Sequence, residues 1–291
     1  MIFTHRHGSW DFGPGARARV VGILNLTPDS FYDGGRYADA GRALDHALRL
    51  AAEGADALDV GGLSTRPGTR QEPTIGADEE WRRLEPLLTA LAGRIRIPLS
   101  VDTYRASVAR RALEAGVSMI NDVSGLTADP EMAGVVAGSG AGLVLMHALG
   151  APDALHAARE YEDVGLEVRE FLAARMAEAA AAGVAADRIA LDPGIGFSKR
   201  AEQSVEALRA LPRLTALGRP LYIGVSRKSF LGTLTGRPVE ERLAASLGAT
   251  VAAVALGARI VRTHDVAATR DALAAAEAIL HPEPRHEASR A

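Results

Sequence analysis

The sequence predicts an α/β protein: a single-domain (β/α)8 TIM barrel with eight parallel strands and two long βα loops, the first and the second. Two observations carry this expectation. Eight short apolar, β-branched runs recur along the chain, each followed by a polar residue, a loop and an Ala/Leu/Arg/Glu segment of helical spacing. The runs are continuously apolar, which marks strands buried on both faces, the habit of parallel sheets. Eight such units in roughly 250 residues match the size of this barrel.

In chain order the strands are expected at Val20–Leu24, Ala57–Val60, Ile97–Val101, Ser118–Ile120, Leu143–Met146, Ile189–Leu191, Leu221–Val225 and Ile260–Val261. The helices between and after them are expected at Ala38–Glu53, Ala77–Leu91, Arg105–Ala115, Pro130–Ala137, Asp163–Ala182, Ala201–Leu217, Glu240–Leu256 and Val266–Leu280. A doubly wound open sheet is the runner-up, but such a sheet announces itself with a Gly-rich first crossover. The only Gly-rich run, GSGAG at Gly138–Gly142, lacks the third Gly and follows a helix instead of opening one. Residues 1–18 are expected to cap the barrel bottom as a small hairpin. Residues 19–280 are expected to form the barrel, and 281–291, with two prolines, a flexible tail.

The 291 residues carry 33 basic and 36 acidic side chains, a net charge of −3. That balance gives no global field for nucleic acid or an anionic membrane, and aromatic residues at 4% offer few stacking platforms. The absence of Cys excludes disulfides, thiolate nucleophiles and Cys-ligated metals, and fits a cytoplasmic setting. No apolar leader and no membrane span are expected.

In such a barrel the chemistry sits at the C-terminal ends of the strands. The residues there are Asn25, Gly61-Gly62 leading to Ser64, Asp102, Asn121-Asp122, His147, Asp192, Ser226-Arg227-Lys228, Arg262 and His264. One Asp, Asn or Ser at such a place is an ordinary helix cap. Arg262, His264 and Lys228 are not capping types, and the ensemble converges on one rim. Asp102, Asn121 and Asp192 can pair with a flat, nitrogen-rich edge. Arg262, His264, Arg66 and Lys228 suit an anionic tail. Asn25 offers a neutral oxygen for Mg²⁺ carried by phosphates. The loops Asn25–Arg36 and Gly61–Gly76 are long for βα connections and are expected to act as lids. His147 and Asp122 read as structural.

Several segments then carry a resemblance in consistent order: VVGILNLTPDSFYDGG (Val20–Gly35), GADALDVGGLSTRPG (Gly54–Gly68), PLSVDT (Pro98–Thr103), MINDVSGL (Met119–Leu126), LMH (Leu145–His147), LDPGIGFSK (Leu191–Lys199), IGVSRKSFLG (Ile223–Gly232) and VRTHDV (Val261–Val266). Together they resemble the dihydropteroate synthase family of folate biosynthesis, the sulfonamide target, over almost the whole chain. The resemblance implies a homodimeric transferase. It would condense 6-hydroxymethyl-7,8-dihydropterin pyrophosphate with 4-aminobenzoate to 7,8-dihydropteroate, with Mg²⁺ as cofactor. It assigns Asp102, Asn121, Asp192 and Lys228 to the pterin, Asn25 to the metal, and Arg262 and His264 to the pyrophosphate. Thr65, Arg66, Pro67, Phe31 and Ser229 fall to the aminobenzoate pocket, and Asp33 to the reaction centre. Lys228, Asp33, Arg66, Arg262 and His264 are the candidate catalytic residues.

The chain departs from the family at Leu63, where Glu or Gln is usual, at Tyr32, where a small residue is common, and at Ser198, where Gly is usual. Leu63 keeps open a non-catalytic pterin-binding paralogue. A methyltetrahydrofolate-dependent methyltransferase would share the Asp/Asn contacts, but would not need STRPG, SRKS or the Arg262/His264 pair.

Overall fold

The computed structural model describes residues 1–26, 36–63, 75–150, 155 and 157–280. Two short strands, β1 (Ile2–His5) and β2 (Gly8–Asp11), form an antiparallel hairpin. Eight further strands follow among the described residues: β3 (Arg19–Asn25), β4 (Ala57–Gly61), β5 (Leu99–Asp102), β6 (Met119–Asp122), β7 (Gly142–Met146), β8 (Ile189–Asp192), β9 (Leu221–Gly224) and β10 (Ala258–Thr263). They pair in parallel and close into a barrel, with β10 bonded to both β9 and β3. The expected (β/α)8 barrel is therefore what the chain forms, and the open sheet is excluded by the closure.

The helices are α1 (Arg36–Ala52), α2 (Ala77–Leu91), α3 (Ala106–Glu114), α4 (Met132–Ser139), α5 (Val164–Ala181), α6 (Ala201–Arg209), α7 (Leu211–Thr215), α8 (Ser229–Thr235), α9 (Leu243–Ala255) and α10 (Val266–Leu280). Alternation along the strands builds two cores. Leu58 and Val60 of β4 face the helices, in one cluster with Leu50 of α1 and Leu84 of α2. Ala57 faces inward with Val21, Met119, Val144, Ala190, Tyr222 and Ile260. Phe3 and Trp10 of the hairpin belong to that inner cluster. Gly142 makes room for Phe3, since a Cβ there would lie 2.7 Å from its ring.

Three differences from the sequence expectation exceed a shift of one or two residues at an element's end. The segment 201–217 is two helices, because Pro212 stands in the first turn of α7, where its missing N–H is tolerated. The helix expected from Glu240 starts at Leu243, after a 3-10 turn at Val239–Glu241. The short helix α8 precedes that turn; seven residues hold too little periodicity to read, and Gly236, at φ 70°, ends it. Among the described residues no helix is long and apolar enough to cross a membrane.

Candidate active site

The strands deliver their polar ends to one mouth. Backbone pairing is indifferent to side-chain polarity, so Asn25, Asp102, Asn121 and Asp192 are themselves the last or near-last residues of their strands. A cavity of about 480 Å³ opens there, and these four side chains line it together with Lys228, Ser229, Arg262 and His264. Ile23, Val123, Met146 and Phe197 give it apolar walls fit for a flat ring. A Cβ at Gly61, on β4, would make ordinary contacts with Asn25 Oδ1 at 3.4 Å and Asp102 Cβ at 3.7 Å.

The acidic and cationic halves of the rim are joined through Arg262. Its Nε donates to Asp59 Oδ2 at 2.6 Å, and its Nη2 donates to Asp102 Oδ2 at 3.1 Å. The sequence reading set this guanidinium at the anionic tail; the structure places it across the carboxylates. The reason is Asp59, a fully buried carboxylate that needs a counter-charge. Sequence reasoning missed Asp59. The signal was there: one acid inside the apolar run ALDVG.

On β9 the chain turns sharply after Val225. Arg227 sits at φ 58°, an uncommon conformation for a non-glycine residue. Its N–H donates to Ser246 Oγ at 2.9 Å, its guanidinium donates to Asp265 through Nε at 3.0 Å and through Nη2, and its carbonyl accepts from Arg242 at 3.2 Å. Ser226 Oγ contacts His264 Nδ1 at 3.0 Å and accepts from the His264 N–H at 3.2 Å, which fixes the ring. Lys228 donates to the Ile195 carbonyl and stands 4.2 Å from the centre of the Phe197 ring. Gly196, at φ +78°, lies against this side chain, where a Cβ would sit 3.3 Å from Lys228 Cδ, and Gly194 packs on the neighbouring strand's end, where a Cβ would lie 1.9 Å from the His147 carbonyl oxygen.

Burial governs the ionisation of the site. It raises Asp102 to about 7; Arg262 opposes that rise, and the charges of Asp59, Glu80 and Asp122 add to it. Asp192 is also raised by burial, against the pull of Lys228. Burial lowers Lys228 to about 8, with Asp192 resisting. Arg262 stays charged: burial works against it, but Asp59 and Asp102 more than offset that loss.

Asp122 is structural, as expected: it accepts from the backbone N–H of Ser124 at 2.9 Å and of Leu126 at 2.7 Å. His147 is buried beside Lys199, whose Nζ lies 2.8 Å from its Nδ1 and also donates to the carbonyls of Gly194 and Phe197. Burial, and then the Lys199 charge, lower His147 to about 3. Lys199 was not singled out from the sequence, nor were the cavity residues Val239, Glu240 and Arg242.

Phe31, Asp33, Thr65, Arg66 and Pro67 lie outside the described residues, as does Tyr32. The base of the second loop is described. Glu80, fully buried, pairs with Arg105, and Arg105 Nη2 donates to the Ile75 carbonyl at 2.7 Å. Leu63 is half-buried at the other end of that loop. As for a metal, no group of three His, Asp or Glu side chains placed to hold one occurs among the described residues. Asn25 alone is too few ligands for a resident ion, but it fits an Mg²⁺ that arrives on substrate phosphates.

Comparison with known proteins gives the family of the chain. Residues 21–264 match the family model described as pterin binding enzyme. A dihydropteroate synthase from Synechocystis sp. is 44% identical over 269 residues, 92% of each chain. The chain belongs to the dihydropteroate synthase family. Two solved structures agree. A dihydropteroate synthase from Clostridium difficile, determined with pteroic acid, superposes with a TM-score of 0.86 at 39% identity, covering 93% of this chain and 100% of that one. One from Xanthomonas albilineans, with 4-aminobenzoic acid, gives 0.84 at 46% identity, covering 91% and 93%.

Proposed function

We infer that the protein is a transferase of folate biosynthesis that condenses 6-hydroxymethyl-7,8-dihydropterin pyrophosphate with 4-aminobenzoate, forming 7,8-dihydropteroate and releasing pyrophosphate. The observation that carries this is the convergence of Asp102, Asn121, Asp192 and Lys228 on one apolar-walled cavity, in a chain of this family. A flat ring fits between Met146, Val123 and Phe197, and its N–H edge meets acceptors on three strands.

The chemical step follows from charge. Aromatic amines are weak nucleophiles, so the leaving group must do much of the work. We assign Arg262 and His264 to the departing pyrophosphate, with Arg262 exchanging a carboxylate for phosphate oxygens, and Lys228 to the ring. When bound to the diphosphate, Mg²⁺ would neutralise its charge, with Asn25 as the protein's ligand. Departure ahead of attack, an SN1-like path, leaves positive charge that the pterin ring delocalises and Asp33 stabilises. Phe31, Thr65, Arg66, Pro67 and Ser229 then hold the aminobenzoate. We further assign the working form to a cytoplasmic homodimer. Leu234 of α8 and Leu243 of α9, both exposed apolar side chains, support a partner on that side.

The test is direct. Purified protein with both substrates and Mg²⁺ is expected to release pyrophosphate only when 4-aminobenzoate is present. Folded protein that binds the pterin without turnover would overturn the reading in favour of a paralogue, with Leu63 as its cause. A tight, associative transition state from isotope effects at the methylene carbon would overturn the SN1-like path alone.

A further inference from the structure

Asp59 is placed unlike any other acid of the barrel. It shares its face of β4 with Ala57 below and Gly61 above, and Gly61 has no side chain. Asp59 is thus the uppermost side chain that β4 sends inward. Its carboxylate is fully buried and is not part of the cavity wall. One oxygen, Oδ2, accepts twice: from Arg262 Nε at 2.6 Å and from Asn121 Nδ2 at 3.0 Å.

A carboxylate accepts and does not donate, so the Asn121 nitrogen must face Asp59. The Asn121 oxygen is thereby committed to the opposite direction. That oxygen is shielded from water and has no hydrogen-bond partner among the described residues. Asn121 itself lines the cavity. A buried acceptor left in this way is costly until a donor reaches it. The donors of a pterin edge, ring N–H and exocyclic amine, are of the right kind.

We propose that Asp59 is a positioning residue for the pterin head: it locks the Asn121 amide with its oxygen offered to the ring, and anchors Arg262 through the same carboxylate oxygen. This rests on the pterin reading given above. Asp59 touches no substrate and acts only through Asn121 and Arg262. It explains why a strand buried on both faces keeps an acid at its centre.

An isosteric exchange tests it. The wild type, N121D, D59N and the double variant D59N/N121D are titrated with 6-hydroxymethylpterin, whose fluorescence reports binding without turnover. In N121D two carboxylates oppose each other, and affinity is expected to fall about tenfold or more. In D59N/N121D the new amide nitrogen at 59 donates to the new carboxylate at 121, whose second oxygen again serves as acceptor, but that nitrogen cannot accept from Arg262 Nε, which keeps Asp102 as its partner. Affinity is expected to recover at least about threefold over N121D while staying below wild type, because the Arg262 contact to residue 59 is not restored. An N121D protein that binds like wild type would overturn the proposal. So would an exchange that recovers melting temperature without recovering affinity, since that is what a merely structural pair would do. If N121D fails to fold, the exchanged protein still decides, by binding or not binding the pterin. Should the wild type itself not bind the probe, the functional reading fails instead. Asp59 is then judged by the Asn121 side-chain amide protons in NMR, where slow exchange supports the lock and fast exchange overturns it.

Discussion

Arg262 between Asp59 and Asp102 makes the site a place where charge is held at a cost. Asp102 shows this. The folded chain keeps its proton up to about pH 7, whereas an ordinary aspartate titrates at 3.8, so folding takes up a proton between those values. Stability on this account falls as pH rises through that window and stays low above it. D102N is therefore expected to raise the melting temperature at pH 8 by about 2 °C, a gain of about 1 kcal/mol, and to lose the gain at pH 4, while pterin binding is lost at both. Scanning calorimetry at the two pH values checks it. Lys228 runs the other way. Its ammonium, lowered to about 8 mainly by burial, disappears above that pH. Affinity for the anionic pterin substrate is expected to be several-fold weaker at pH 9.5 than at 7.5. The K228R variant, charged throughout, is expected to show a flat profile. Most of these rim residues could be read from the sequence, because each follows an apolar run. Asp59 could not be assigned a task in that way: its position inside a strand says that it must be paired, but its partner, Arg262, lies across the barrel closure.

Elements position these residues through a few close contacts. The turn after β8 approaches the His147 backbone so closely that only glycine fits at 194, with φ at +65°. G194A is expected to destabilise the fold by about 3 kcal/mol or more and to displace Phe197 with Lys228, raising the KM for the pterin substrate; chemical denaturation and steady-state kinetics check both. The second loop has its own anchor. Removing the guanidinium with R105A leaves the buried Glu80 with the Thr103 hydrogen bond and the Arg83 charge but without its ion-pair partner, an expected loss of about 3 kcal/mol at neutral pH. Burial already raises Glu80, so it takes up a proton more readily than an exposed carboxylate, and the loss is expected to shrink as pH falls. Urea unfolding at pH 7 and pH 5 reads that difference. Strand and helix order was legible because continuous apolarity and helical spacing are local signals. The break at Pro212 and the seven-residue α8 were less so, since packing decides them more than composition.

At the scale of the molecule, the barrel rests on the closure of β10 against β3. That pairing brings Arg262 to Asp59, its partner 203 residues earlier in the chain. During synthesis the order is therefore fixed. Asp59, Asp102 and Asn121 emerge from the ribosome long before the cation that neutralises them. Until β10 follows, the nascent chain presents an unclosed sheet with two free edges and acids on its inner wall. A chain stopped short of Arg262 is thus not a weaker enzyme with part of a site. It is an open sheet whose edges invite pairing with other chains, a substrate for chaperones and proteases.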